Sequence, residues 1–151
     1  MAQTVPPVTN VYVVEADEFI EKMAEKIRNF PEINCPLDMK FWKTSAAREF
    51  PPDNPEDFWY IRCASLLRKL AINKIVGVNR LRKIYGSIQR KGVKPNHSRR
   101  AAGGIIRRCL QQLQKAGLVE IVEKEGRKLT PAGQSLVDKV AHEIIRSRSS
   151  N

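Results

Sequence analysis

Lysine and arginine are the residues of this sequence whose number and spacing point to a chemistry. Residues 58–119 contain 15 of them and no aspartate or glutamate, whereas residues 1–57 contain 11 acidic and 6 basic residues. Cations without carboxylate partners repel one another, and a polyanion relieves that repulsion. The distribution therefore predicts a phosphate-rich partner. Nucleic acid is favoured over an anionic membrane because the cations are interleaved with core-forming aliphatic residues over several elements.

Residues that could catalyse a reaction or hold a metal form no recognisable pattern. The two histidines, His97 and His142, lie 45 positions apart, and no serine, aspartate or cysteine arrangement joins them. Cys35, Cys63 and Cys109 are odd in number and include no Cys-x-x-Cys pair, which argues against a disulfide framework and a zinc site. We therefore expect a protein that is not an enzyme and that uses no cofactor, metal or small-molecule substrate.

Length and apolar pattern limit the class of protein further. A chain of 151 residues with 42% hydrophobic and 28% charged residues has the composition of one globular domain, expected over residues 1–151. No apolar run approaches the roughly 18–20 residues that span a bilayer. The first nine residues lack the basic start and apolar stretch of a signal peptide. The expected location is the cytoplasm, without a membrane partner.

The elements that must position the cations are mostly helices. Apolar residues at helical spacing predict a first helix over about residues 17–29 and a second over about residues 55–73. The second is apolar on most sides, and such a helix is usually buried, so it is expected to be the central element. Five prolines between residues 30 and 57 predict a loop there, with a short helix over residues 39–47.

The next segment combines a short helix, a basic connection and an amphipathic helix. The short helix is predicted over residues 78–85, and the connection over residues 86–97 reads as a loop punctuated by glycine and proline. Ser98 is the expected N-cap of a helix over about residues 99–116. Near the start of that helix, Gly103 and Gly104 either let a phosphate approach the backbone or leave the first turn poorly formed.

The end of the chain has the signals of a hairpin followed by a capped helix. Gly117 is expected to end the amphipathic helix, two strands are predicted around Glu125 and Gly126, and Thr130 is the expected N-cap of the last helix. This element order predicts a mainly α fold: a helical bundle around a central helix with a winged helix-turn-helix and a small β-hairpin. The winged-helix-like part is expected over about residues 76–146, with an extended N-terminus over 1–14 and a frayed tail over 147–151.

Four motifs occur in the order and spacing of a known family. They read R-x-x-x-x-Y-G at 80–86, R-x-G-V-x-P-x-H at 90–97, R-R-x-L-Q-x-L at 107–113 and G-R-x-L-T-x-x-G at 126–133. With the run FWYIRCASLLRKL at 58–70, they make the chain resemble the family of small ribosomal subunit protein nineteen of eukaryotes and archaea. The resemblance covers nearly the whole chain.

The resemblance implies a structural protein in the head of the small subunit, bound to ribosomal RNA beside neighbouring ribosomal proteins and not forming a homo-oligomer. In eukaryotes it also implies a role in maturation of the small-subunit precursor and a nucleolar stage during assembly. The RNA-facing surface would consist of basic residues of the central helix and of the segments that follow it. The candidate RNA-binding residues are Arg62, Arg68, Lys69, Arg82, Lys83, Arg90, Lys91, Lys94, His97, Arg99, Arg100, Arg107 and Arg108.

Several positions allow two interpretations. Arg62 and Arg68 could contact phosphate or extend from a buried helix to solvent, and the first interpretation expects charge reversal there to block subunit incorporation without unfolding the protein. His97 could contact a nucleotide or cap the turn at Pro95. Stacking on bases is also open to the aromatic residues at 58–60, although core packing is favoured for them. The wing cations, Lys124, Arg127 and Lys128, could face RNA, protein or water.

Two other classes of function compete with the ribosomal one. A winged helix can regulate transcription by binding duplex DNA, although such proteins usually dimerise and concentrate charge on one recognition helix and wing. Winged helices also dock onto other proteins, but the acid-free cationic segment speaks against an interface with protein alone. The spread of cations over several elements favours RNA.

Overall fold

Residues 10–150, which the computed structural model describes, form five α-helices and two antiparallel β-hairpins. The mainly α class with a winged helix is confirmed, with one hairpin more than the sequence predicted. In chain order the elements are α1 (Ala16–Ile27), α2 (Pro55–Asn73), α3 (Val78–Ile84), β1 (Ser87–Lys91), β2 (Lys94–Arg99), α4 (Gly103–Lys115), β3 (Val119–Val122), β4 (Gly126–Leu129) and α5 (Pro131–Ser149).

Helix α2 is the central element, as its apolar circumference predicts. It packs against α1, α4, α5 and strand β4. Pro55 occupies its first turn, where a missing N–H costs nothing. Removing so much apolar surface from water is the main source of stability in this fold. The fully or nearly fully buried side chains of α2 are Trp59, Cys63, Ala64, Leu66, Leu67, Leu70 and Ala71.

Hydrogen bonds join the wing, which is the β3–β4 hairpin, to the rest of the domain. The main chains of Val76 and Arg127 exchange two hydrogen bonds of 3.1 and 3.0 Å, which attach strand β4 to the segment before α3. The Thr130 hydroxyl accepts from the Gly133 amide at 3.1 Å and donates to the Gly117 carbonyl at 2.7 Å. Thr130 therefore caps α5, as predicted, and also ties that cap to the end of α4.

The basic connection over residues 86–97 is a β-hairpin and not the predicted loop. Strands β1 and β2 pair in antiparallel register around a turn at Gly92, whose φ of +62° suits glycine. The sequence signal was misleading because Pro95 usually argues against a strand, but both strands of an isolated hairpin are edge strands that tolerate proline. Ser98 lies in β2 and is not an N-cap, since α4 begins only at Gly103.

Three further boundaries differ from the predictions. The short helix expected over 39–47 is a 3₁₀ turn over Leu37–Phe41, because the next residues are extended and the Thr44 carbonyl accepts from the Ala102 amide at 2.7 Å. Helix α5 continues to Ser149, beyond the start of the frayed tail expected at 147, and its last turn contains an ion pair of 2.8 Å between Arg148 and Glu18 of α1. Residues 1–14 were expected to be extended, but Asn10–Tyr12 form a 3₁₀ turn. Residues 1–9 and 151 lie outside the described part of the chain.

Gly133 shows how closely α5 approaches the wing. A Cβ at this position would collide with the Leu118 carbonyl oxygen. We expect Gly133→Ala to lower the free energy of unfolding by about 1–3 kcal/mol, because the backbones must move apart. Urea denaturation measures this change. Gly104→Ala is the matched control, because a Cβ there has no neighbour within 4 Å, and it should not destabilise the protein. An equal loss of unfolding free energy in both variants would show that the contact between Gly133 and Leu118 does not limit the stability.

Candidate nucleic-acid interface

Nine of the thirteen candidate RNA-binding residues are exposed on the β1–β2 hairpin and around helices α3 and α4. The hairpin register brings some of them together, since Lys91 faces Lys94 directly and His97 faces Gln89. Like charges opposite one another on a hairpin are destabilising unless an anion lies between them. We call these nine residues the basic surface: Lys83, Arg90, Lys91, Lys94, His97, Arg99, Arg100, Arg107 and Arg108.

The cations of residues 58–119 have no carboxylate partners in the fold. Within residues 10–150, no lysine or arginine of this segment takes part in an ion pair, so the acid-poor sequence is not compensated by distant acids. The positive charge of the basic surface is therefore not neutralised within the protein. An anionic partner would reduce the repulsion between these cations. The ion pairs of the described residues are Lys26–Glu143, Arg28–Asp57, Lys128–Glu120 and Arg148–Glu18.

Arg62 lies between aromatic rings and not in the basic surface. Its guanidinium carbon is 4.1 Å from the centre of the Tyr85 ring and 5.0 Å from that of Phe58. Burial lowers the pKa of this guanidinium, and the same burial raises the pKa of Tyr85, whose hydroxyl also forms a 2.6 Å hydrogen bond with Ser65. Arg62 thus joins α2 to the end of α3 through cation–π contacts.

The other three candidate residues outside the basic surface are half-buried. Arg68 and Lys69 lie on α2, and the Nε of Arg68 is buried without a hydrogen-bond partner among the described residues. The Nε of Arg82 donates to the Ala101 carbonyl at 2.9 Å, and the Ala101 amide donates to the Arg82 carbonyl at the same distance. Arg82 therefore holds α3 against the chain entering α4.

Helix α4 begins with a formed first turn that carries no side-chain cap. Its N-cap is Ala102, which makes no side-chain hydrogen bond, and its first two residues are Gly103 and Gly104. The helix dipole leaves partial positive charge at this end. Gly104 is open to solvent, whereas Gly103 lies against the Arg82 side chain. Both glycines lie within the helix, which begins at Gly103.

A pocket that sequence reasoning missed adjoins this helix end. Trp42 follows the 3₁₀ turn, and the Arg108 guanidinium lies 4.4 Å from the centre of a Trp42 ring. The only sequence signal was the apolar pair Phe41-Trp42 inside a proline-rich loop, which lacks the periodicity of an element. We call this the Trp42 pocket, a cavity of about 470 Å³ lined by Phe41, Trp42, Lys43, Ser45, Ala46, Ala102, Gly104, Ile105 and Arg108.

The aromatic residues of α2 belong to the core, as favoured from the sequence. Trp59 is fully buried, and its indole N–H donates to the Gln112 side-chain oxygen at 2.8 Å. The Gln112 amide group in turn donates to the Asn34 carbonyl at 2.8 Å. Phe58 and Tyr60 are partly buried against the core. Gln112 therefore connects α2, α4 and the loop before α2, a role that the sequence motifs did not indicate.

The described residues hold neither a metal-binding cluster nor a helix long and apolar enough to cross a membrane. Cys63 and Cys109 are buried and Cys35 is partly buried, all as free thiols. Burial raises the pKa of Cys109, and contact with Cys63 acts in the same direction, so this thiol stays protonated. These two thiols act as small apolar side chains of the core.

Comparison with known proteins agrees with the motifs. A family described as Ribosomal protein S19e matches residues 10–147. The chain belongs to this family. It is 42% identical to small ribosomal subunit protein eS19 of Aeropyrum pernix, over 90% of each chain, and 42% identical to that of Haloarcula marismortui, over 89% of this chain and 90% of the relative. Small ribosomal subunit protein eS19A of Saccharomyces cerevisiae is 36% identical, over 92% of this chain and 96% of the relative.

Members of the S19e family are structural components, so the chain is not an enzyme.

The burial of Arg62 changes what a charge reversal should do. We expect Arg62→Glu to lower the free energy of unfolding by about 1–3 kcal/mol, because a half-buried carboxylate would lie between two aromatic rings without a partner. Arg90→Glu, the same change on the exposed hairpin, should stay within about 0.5 kcal/mol of the unchanged protein. Chemical denaturation followed by circular dichroism measures both. Equal stability of the two variants would restore the sequence-based expectation that Arg62 can be reversed without unfolding.

Proposed function

We propose that this member of the S19e family binds ribosomal RNA through its basic surface. The chain is a structural component of the small ribosomal subunit, located in the cytoplasmic ribosome, by its family. The observation that carries the proposal is that no cation of residues 58–119 has a carboxylate partner within the described residues. Phosphates supply the missing counter-charge, and affinity then depends mainly on backbone contacts.

Folded RNA fits this surface better than duplex DNA. In a DNA-reading helix-turn-helix, a turn of three or four residues separates the helices, and the N-terminal residues of the second helix enter the major groove. Here the β1–β2 hairpin lies between α3 and α4 and stands directly before that N-terminus. A hairpin and a helix end together offer cations in several directions, which suits the irregular backbone and single-stranded elements of folded RNA.

The finer placement rests on the resemblance to the family of small ribosomal subunit protein nineteen. We place the protein in the head of the small subunit, beside other ribosomal proteins and as a single copy. We also infer that its RNA binding contributes to maturation of the precursor RNA, with a nucleolar stage if the source is eukaryotic. The winged-helix part over about residues 76–146 carries most of the basic surface, within one domain.

Sedimentation of a native lysate tests the proposal directly. The protein should co-sediment with small subunits and polysomes in a sucrose gradient, and this association should survive moderate salt, because many phosphate contacts hold it. Recovery only at the top of the gradient would reject the ribosomal function. Recovery on chromatin would favour the winged-helix DNA regulator.

The salt dependence of binding identifies individual phosphate contacts. We expect Lys94→Gln to reduce the magnitude of the slope of log affinity against log salt by about 0.7–0.9 for small-subunit RNA, since one counterion fewer is released. Lys22→Gln removes the same charge from the exposed side of the acidic helix α1 and is the control, with no change of slope expected. An unchanged slope for Lys94→Gln would remove this residue from the interface.

A further inference from the structure

The Trp42 pocket is an apolar cavity on the otherwise strongly charged side of the protein. Its volume, about 470 Å³, falls within the roughly 300–1,000 Å³ of small-ligand sites. Phe41 at its edge is 70% exposed. Only cationic side chains lie over these rings among the described residues: Lys40 is 5.0 Å from the centre of the Phe41 ring, and Arg108 is 4.4 Å from that of Trp42.

The floor of the pocket has the geometry of a stacking platform. The guanidinium carbon of Arg108 lies over the ring of Trp42, 4.4 Å from the ring centre, so the arginine covers one side of the aromatic ring. RNA-binding proteins stack unpaired bases on aromatic rings and on arginine planes. Both kinds of plane line this cavity.

The rim of the pocket favours a phosphate-bearing occupant. Lys43 and Arg108 are exposed there, and none of the nine lining residues is acidic. The uncapped first turn of α4 contributes partial positive charge at Gly104. An apolar side chain of a neighbouring protein would also fit the cavity, but it would leave these positive charges without a partner.

Hydrogen bonds join the pocket to the basic surface. The Ser45 hydroxyl donates to the Arg100 carbonyl at 3.0 Å, and Ser45 forms an antiparallel bridge with Ala101. The Gln89 side chain of β1 donates to the Ala46 carbonyl at 3.2 Å. The wall of the pocket is thus attached both to the hairpin and to the entry of α4, and an RNA backbone that follows the hairpin arrives at the pocket.

We propose that the Trp42 pocket takes one unpaired base of an RNA strand, whose adjacent phosphates lie on Lys43, Arg108 and the first turn of α4. The inference rests on the proposed RNA binding and adds a base-specific element to it. The hairpin cations neutralise the backbone, while the pocket selects a nucleotide that is not paired. The protein would therefore distinguish a bulge or loop from a continuous duplex.

The first test compares three probes on the full chain: a short oligouridylate, the same ribose-phosphate chain without bases, and a short RNA duplex. The oligouridylate should bind at least about fivefold more tightly than the abasic chain, the lower end of what one stacked base contributes. It should also shift the nuclear magnetic resonance signals of the Trp42 indole N–H and the Gly104 amide. Equal affinity for the oligouridylate and the abasic chain, without these shifts, would overturn the pocket proposal.

The second test closes the pocket without changing charge. Gly104 has open space where its Cβ would be, so Gly104→Leu should fold normally and fill the cavity. We expect it to lose at least about fivefold in affinity for the oligouridylate and to keep its affinity for the abasic chain. Gln114→Leu, exposed on the same helix outside the pocket, is the control and should bind like the unchanged protein. If the two variants bind oligouridylate alike, the base lies elsewhere.

The outcomes separate this proposal from the proposed function. If all three RNA probes bind with similar affinity, RNA binding stands and the pocket proposal fails. If none of them binds, both fail. If N-acetylphenylalaninamide shifts the Trp42 indole signal and oligouridylate does not, the occupant is an apolar side chain of a neighbouring protein, and the base proposal is rejected.

Discussion

The rest of the structure depends on one constraint: the segment that supplies most of the core is also the segment that carries the unpaired cations. Residues 58–119 contain 15 lysines and arginines without an acid, and they include α2 and α4, whose leucines fill the interior. Mutual repulsion of these cations opposes folding, and burial of apolar surface offsets it. The fold solves this by giving each helix one buried face and placing long cationic side chains at its edges.

The loop before α2 is held in place by helix α4 and is not a passive connection. Its main chain is hydrogen-bonded to the entry of α4 through Thr44, and Gln112 holds its earlier part at Asn34. The 3₁₀ turn between these two attachments then presents Phe41 and Trp42 beside α4. Without these bonds the aromatic pair would have no fixed position relative to the basic surface.

Sequence periodicity predicted the elements whose signals are local. The bounds of α2, the wing around Gly126 and the cap at Thr130 follow from apolar spacing and turn chemistry alone. The β1–β2 hairpin could not be predicted from such local signals, because its stability comes from pairing across the turn and its residues include a proline. The position of Arg62 depends on Tyr85 of another element, and helical spacing cannot show which side of α2 meets that ring.

The candidate site, like the fold, has one part that can be predicted from the sequence and one part that cannot. That the cations lack partners is visible in the sequence, since no acid lies near them along the chain, and the fold brings none to them. The Trp42 pocket is not visible there, because it is formed by two segments, residues 41–46 and 102–108, that meet only in the folded protein. The sequence thus indicates the cations of the candidate site, but it gives no sign of the pocket beside them.

The exposure of the hairpin has a consequence for the order of events in assembly. Every residue of β2 is exposed, and β1 buries little, so opening this ladder costs its own hydrogen bonds and the attachment of Gln89 to Ala46, and it leaves the core intact. Segments of this kind fluctuate many times within the lifetime of the folded state. A hairpin that opens in this way can therefore close around a contact that the folded core has already made.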